Sequence, residues 1–273
     1  ITQPDSTIID VNDAFTQITG FTRAEAVGRK PHILSSGRHD KAFYKSMWDA
    51  LTIQGHWSGE IWNRRKDGRV FAELLTTSAV RNEHGITQQY VALFSDITTI
   101  KDQQSQLERM AHFDALTHLP NRLLLSDRLH QAMAQAQRRG QQLSVAYLDL
   151  DGFKSVNDTY GHAAGDQLLI TLSHAMKDAL REGDTLARIG GDEFVALFID
   201  LEGPQCSIAL LNRLLAAVTQ VVKIKGAAVQ VSTSIGVTYY PKATEVAADQ
   251  LLRQADLAMY QAKVEGKNRY KIF

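Results

Sequence analysis

Apolar and polar positions alternate along this chain in two different ways, and the pattern changes near Asp114. Before that point, a short strand is predicted over Thr7–Val11 and helical stretches near Asn12–Gly20 and Thr22–Val27. An amphipathic helix follows around Asp40–Thr52. Three strand patterns come next, Trp57–Arg65, Val70–Val80 and Thr87–Ser95. They are separated by "KDGR" and "NEHG", whose Gly and Asn/Asp residues suit hairpin turns. Helices first and an antiparallel meander afterwards predict a small α+β domain. Beyond Asp114, strands and helices alternate. A helix over Leu123–Arg138 is followed by a strand over Leu143–Leu150, a helix after Gly165, and strands on either side of a Gly190–Gly191 bend. A helix over Ser207–Val222, a long strand over Ala228–Tyr239, a helix over Ala247–Val264 and a last strand over Arg269–Phe273 complete the pattern. An antiparallel hairpin inside such an alternation predicts a mixed central sheet flanked by helices.

Between the two patterns lies "DITTIKDQQSQLERMAHFD". Ile97, Ile100, Gln104, Leu107 and Ala111 recur in it at spacings of three and four. Such a seam, about two heptads long, suits either a surface helix with one apolar stripe or a parallel helical dimer linker; the latter is our expectation. The organisation expected is therefore 1–97 as one domain, 98–113 as a linking coiled coil and 114–273 as a second domain.

Composition narrows the partners. Thirty basic residues balance thirty acidic ones, which gives no general support for a nucleic-acid or membrane-surface protein. The basic run "NRRKDGR" reads as a solvated hairpin turn. A single cysteine, Cys206, excludes an internal disulfide framework and fits a reducing, cytoplasmic setting. No apolar run approaches the ~18 residues that span a bilayer, and no signal-peptide pattern opens the chain. The chain begins in mid-pattern at "ITQPDSTIIDVN" and stops at "NRYKIF", which reads as a piece of something longer.

Candidate chemistry concentrates in the second half. In "ARIGGDEFVALFID" two glycines precede Asp192 and Glu193, and a strand-like run follows. A solvated turn accounts for this locally. A bend that presents carboxylates to a metal accounts for it equally. "SVAYLDLDGFKSVNDTYGHAAGD" places Asp149 and Asp151 at the end of a strand expected to neighbour that bend. Carboxylates converging from two strands suit a hard cation such as Mg²⁺, and without one their repulsion would be unfavourable.

Four motifs in order give this half a resemblance. "DALTHLPNR" at Asp114–Arg122, "DLDGFKSVNDTYGHAAGD", "RIGGDEF" and "AMYQAKVEGKNR" together resemble the GGDEF family, the diguanylate cyclases that join two GTP molecules into cyclic di-GMP. The resemblance covers about Asp114 to Phe273 and implies a palm-like sheet. It implies Asp149, Asp192 and the Leu150 carbonyl as ligands of Mg²⁺, two ions per site, with Mn²⁺ as a substitute. Glu193 would be a further ligand or a base at the attacking 3′-hydroxyl, and Lys154 completes the catalytic set. Asn157 and Asp166 would read guanine. The Gly152–Phe153 backbone with Lys154, Lys263 and Lys267 would hold the outer phosphates. Lys267 stands where the family often has Arg, and it keeps the charge but not the bidentate fork. Gly190 and Gly191 would let the nucleotide approach closely. Because one site holds one GTP, the family's reaction implies a homodimer of facing domains, which the linker helix is placed to control. Arg181 and Asp184 in "REGD" match the family's inhibitory product site, with Arg213 as its second arm.

The first half, in "IIDVNDAFTQITGFTRAEAVGR" and "GHWSGEIWNRRKDGRVFAELLTTSAVRNEHG", resembles a PAS sensor domain lacking part of its N-terminal region. Such domains hold haem, flavin, another small molecule or nothing, and nothing is the expectation for this one. With the only cysteine in the other half, a cysteine-adduct photosensor is excluded. Trp48, Trp57 and Trp62 suit either a flavin pocket or a packed aromatic core, and His32, His39 and His56 either haem ligation or ordinary packing. Two functions stay open. One is a PAS-regulated diguanylate cyclase; the other is a non-catalytic nucleotide-binding module that controls a following domain such as an EAL phosphodiesterase.

Overall fold

The computed structural model describes residues 1–224, 226–242 and 244–273. The chain divides into two compact units, Ile1–Leu107 and Glu108–Phe273.

In the first unit, helices α1 (Asp13–Thr19) and α2 (Arg23–Ala26) and a 3-10 turn at Pro31–Leu34 precede α3 (Lys41–Gln54). Local chemistry fixes their ends. The Asn12 side chain accepts from Phe15 N–H at the start of α1, a Thr22–Glu25 capping box opens α2, and Asp40 caps α3. Glycines 20 and 55, in left-handed conformation, close α1 and α3. Strands β1 (His56–Arg64), β2 (Val70–Arg81) and β3 (Thr87–Asp96) then form an antiparallel meander in sequence order. The expected strand at Thr7–Val11 is instead a bend with one bridging residue, Ile8, paired to Thr2. Asp5 accepts from both the Thr7 N–H and hydroxyl and turns the chain there. The "NRRKDGR" turn is the predicted hairpin, and its cations are engaged: Lys66 with Glu25, Arg65 with Asp96.

Helix α4 (Thr98–His112) covers the linker, and the division between the units falls within it. Ile100, Leu107 and Met110 are all exposed along it.

The second unit opens with α5 (Arg122–Arg139), capped by Asn121. It continues through β4 (Gln142–Asp151), α6 (Phe153–Tyr160), α7 (His162–Asp178), β5 (Thr185–Gly190), β6 (Glu193–Leu201), α8 (Gln205–Val218), a small ribbon of β7 (Val222–Ile224) and β8 (Ala227–Val229), β9 (Ser232–Tyr240), α9 (Ala248–Val264) and β10 (Arg269–Ile272). The central sheet has the order β10-β9-β4-β6-β5, and only β10 and β9 pair in parallel. It is the mixed sheet the alternation predicts. Successive residues of β4 face opposite ways. Ala146, Leu148 and Leu150 pack toward α7 and α8, whereas Val145 packs toward α5 and α9. Burial of these two aliphatic layers, at roughly 25 cal/mol per Å² of apolar surface removed from water, holds the sheet between its helices. Asp149 therefore emerges on the α9 side.

Two expectations need correction. No single helix starts after Gly165: α6 and α7 precede and include it. The long strand at Ala228–Tyr239 is two strands, with β8 turned away to pair with β7.

Candidate active site

The end of β4 and the tip of the β5–β6 hairpin are neighbours by register. Asp149 lies opposite Glu193, and Leu150 N–H donates to the Asp192 carbonyl at 3.2 Å. At the tip, Gly190 has φ 153° and Gly191 φ 49°. A side chain at either would be strained, and no protein atom lies within 4 Å of where a Cβ would stand. The backbone turn thus requires these glycines, and the space above them is open. Arg188 clasps the tip: its Nε and a terminal nitrogen donate to the Gly191 carbonyl at 2.9 and 2.8 Å, while its other nitrogen pairs with Asp114 at 2.9 Å. Burial works against the Asp114 charge, but bonds from Thr117 and Arg188 outweigh it and hold the carboxyl below the usual range.

Asp149 is buried and pairs with the Lys263 ammonium at 2.7 Å. Burial pushes its carboxyl up, and the charges of Asp192 and Glu193 add to that push. Lys263 pulls it down without cancelling the rise. Helix α9 can bring Lys263 this close because it lies against Gly236 of β9. A Cβ at Gly236 would stand 1.9 Å from the Ala255 carbonyl oxygen and 2.1 Å from the Met259 nitrogen. Glu193 accepts from the Tyr147 hydroxyl at 3.2 Å. Burial raises that phenol, and the Glu193 charge raises it further.

Among the described residues, no three His, Cys, Asp or Glu side chains are drawn into a ready-made metal cage. Like charges do not crowd unaided: Asp149 turns to Lys263 and Glu193 to Tyr147. The donor set nevertheless fits a hard cation. Asp149 feels the charges of Asp192 and Glu193 at one end of the sheet, and an ammonium already pairs with it.

Asp151, the other half of the Asp-x-Asp pair, is spent on structure. Its oxygens accept from the Ser232 and Ser234 hydroxyls at 2.8 and 2.9 Å and from Asn268 N–H at 3.3 Å. This ties the segment holding Lys267, itself exposed with φ 61°, to the end of β4.

Gly152, with φ 84°, joins β4 to helix α6, which carries exposed Lys154 in its first turn beside Phe153. Asn157 of α6 faces Gly165 of α7. Its Oδ1 is buried without a hydrogen-bond partner, and a Cβ at Gly165 would stand 1.9 Å from it. An orphaned acceptor next to a glycine cradle suits a ligand that brings an N–H donor. Asp166 follows at the exposed edge of α7.

Arg181, Asp184 and Arg213 also come together. Arg181 N–H donates to Asp184 at 3.1 Å, and burial raises the Asp184 carboxyl against the pull of the Arg181 and Arg213 charges. Sequence reading assigned no role to Arg188, Tyr147 or Gly236. The first stands in the "RIGGDEF" motif itself, so its signal was visible, whereas Tyr147 and Gly236 carry none outside their strands.

The first unit contains a cavity of about 640 Å³. Trp48 and His32 line it. Trp57 packs edge-on to Phe43, Trp62 lies beneath Arg38, and His39 accepts the Trp62 N–H at 2.9 Å. None of those three residues lines the cavity.

Comparison with known proteins agrees with both halves. A family profile described as "Diguanylate cyclase, GGDEF domain" matches residues 111–269, and a PAS domain profile matches 1–99. The bifunctional diguanylate cyclase/cyclic di-GMP phosphodiesterase MucR of Pseudomonas aeruginosa is 43% identical over 176 residues, 64% of this chain and 25% of that protein. The diguanylate cyclase TpbB of the same species is 32% identical over 209 residues, 75% of this chain and 48% of that protein. This chain thus spans between a quarter and about half of these relatives. The crystal structure of the coiled coil and GGDEF domain of DgcB from Caulobacter crescentus, in complex with c-di-GMP, superposes with a TM-score of 0.59. It does so at 28% identity, over 65% of this chain and 93% of that one.

Proposed function

The chain belongs to the GGDEF family of diguanylate cyclase domains and carries a PAS domain ahead of it, and from this premise we propose that it condenses two GTP molecules into cyclic di-GMP and two pyrophosphates. The observation that carries the reading is the meeting of Asp149 with Asp192 and Glu193 at the end of β4, beside Lys263. In each half of the reaction a 3′-hydroxyl oxygen bonds to the α-phosphorus of the other nucleotide. The bond from that phosphorus to the bridging oxygen breaks, and pyrophosphate departs with its electron pair. Asp149, Asp192, Glu193 and the Leu150 carbonyl would hold Mg²⁺ or Mn²⁺, two ions per site. When bound, the metal supplies charge neutralisation at the α-phosphate and the leaving group. Alternatively to ligation, Glu193 would be the base that takes the hydroxyl proton. The Gly152–Phe153 backbone and Lys154, Lys263 and Lys267 position the outer phosphates. In-line attack needs two sites face to face, so the active species is a dimer, with the exposed apolar positions of α4 as its contact and the PAS domain as its regulator.

Asn157 and Asp166 read the guanine edge. Gly165→Ala pushes the Asn157 side chain out of its place, and steady-state kinetics should show KM for GTP rising about tenfold with kcat changed less. An equal fall in kcat at unchanged KM would remove Asn157 from recognition.

Arg181, Asp184 and Arg213 form a second nucleotide site, for product. Adding cyclic di-GMP to the unmodified enzyme should slow it. In Arg181→Ala the initial rate should stand while that inhibition weakens at least about tenfold, as expected for loss of a bidentate guanidinium contact.

A further inference from the structure

Asp151 ends β4 as a buried carboxylate that accepts three hydrogen bonds. Two come from β9, where Ser232 is its register partner and Ser234 lies on the same face of the strand. Their hydroxyls reach Oδ2 at 2.8 Å and Oδ1 at 2.9 Å. The third bond differs in kind. It arrives at Oδ2, at 3.3 Å, from the backbone N–H of Asn268, 117 residues along the chain.

Asn268 stands in a turn that side chains resist. Between α9 and β10, Gly266 has φ 119°, Lys267 φ 61° and Asn268 φ 47°. Two successive residues with side chains in the left-handed region cost free energy, so surrounding contacts must hold them there. The Lys267 N–H returns to the Ala262 carbonyl of α9 at 3.1 Å, and the Asn268 N–H goes to Asp151. Helix and strand thus fix the turn from two sides. Gly152 follows Asp151 directly and Lys267 precedes Asn268 directly, so this one bond sets the turn beside the Gly152–Phe153 backbone. Lys263 reaches inward to Asp149 at 2.7 Å, whereas Lys267 stays exposed at the edge.

We propose that Asp151 is a positioning residue: through the Asn268 N–H it aims the Lys267 ammonium at the outermost phosphate of a bound nucleoside triphosphate. The proposal rests on the diguanylate cyclase reading above, which gives Lys267 to the phosphates. An ammonium is a point charge without the fork of a guanidinium, so its direction of approach must come from the backbone that carries it. The carboxylate of Asp151 supplies that direction, and a nucleotide with its third phosphate is distinguished from one without it.

Guanosine 5′-[α,β-methylene]triphosphate, in which a CH₂ group replaces the bridging oxygen of the leaving group, and its diphosphate counterpart test this without turnover. In titration calorimetry with Mg²⁺ on the full 273-residue chain, the triphosphate should bind at least about tenfold more tightly, the effect of one charge-assisted contact. Asp151→Ala and Lys267→Ala should each remove most of that preference. The double variant should bind the triphosphate no more weakly than Lys267→Ala alone, because one residue acts through the other. Asp151→Asn keeps an acceptor for the Asn268 N–H and should retain most of the preference. A preference unchanged in Asp151→Ala, or additive losses in the double variant, overturns the proposal. So does an Asp151→Asn variant as impaired as Asp151→Ala, since charge and not the bond would then matter. Hydrogen exchange on the unmodified chain needs no variant to fold. The Asn268 amide should exchange at least about 100-fold more slowly than an unstructured amide, and free exchange there also overturns the proposal. An unmodified chain that binds neither nucleotide would overturn the diguanylate cyclase reading together with it.

Discussion

Asp192→Ala should lower cyclic di-GMP formation by at least about 10²–10³-fold, the usual effect of deleting one preorganised electrostatic group from a reacting centre. The fold should survive. Asp192 sits half-exposed at a hairpin tip whose shape is set by Gly190, Gly191 and the Arg188 clasp, so its carboxylate is not what holds the turn. Removing it also relieves the like charge felt by Asp149. The measurement is chromatographic detection of product from Mg²⁺ and GTP, alongside thermal unfolding to show that the variant is intact. Unchanged turnover in a folded variant would falsify the metal-binding role. An unmodified chain that binds GTP without turning it over would favour the other function, a nucleotide-responsive module that controls a neighbouring domain. The meeting of Asp149 with Asp192 and Lys263 at the end of β4 weighs against that reading.

Gly236→Ala should be the most damaging single methyl group in the second unit. Its Cβ would meet the Ala255 carbonyl oxygen and Met259 nitrogen at 1.9 and 2.1 Å, and these are helix backbone atoms that cannot rotate aside. Either α9 lifts from β9 or the sheet bends. Overpacking of this kind costs about 3 kcal/mol or more, which for a unit of this size lowers Tm by roughly 10 °C. Activity should fall as well, even below the new Tm, because Lys263 rides on α9 and would leave Asp149. Thermal unfolding and turnover measured on the same sample check both parts. A variant with unchanged Tm would mean that the helix has slack against the sheet at that point.

The hairpins of the first unit and the helices with side-chain caps were legible in the sequence, because "KDGR", "NEHG" and Asp40 carry their geometry locally. Helix α6 was not legible. Its eight residues lie between Gly152, which gives no side-chain cap, and Gly161, so turn signals bracket it on both sides. Gly165 looked like a helix start, yet it lies inside α7, where the Asn157 side chain leaves no room for a Cβ. The break between β8 and β9 carries no Gly or Pro and comes from pairing with β7, a tertiary cause. At the site, the acids of the hairpin and of β4 could be read from spacing and family resemblance. The service of Asp151 to Ser232, Ser234 and Asn268 could not, since those partners lie more than eighty residues away.

Arg188 has a mechanical corollary. Asp114 stands two residues beyond the end of α4, and one guanidinium joins it to the carbonyl of Gly191. A twist or pull delivered along that helix would have a path to the acidic tip only one side chain long.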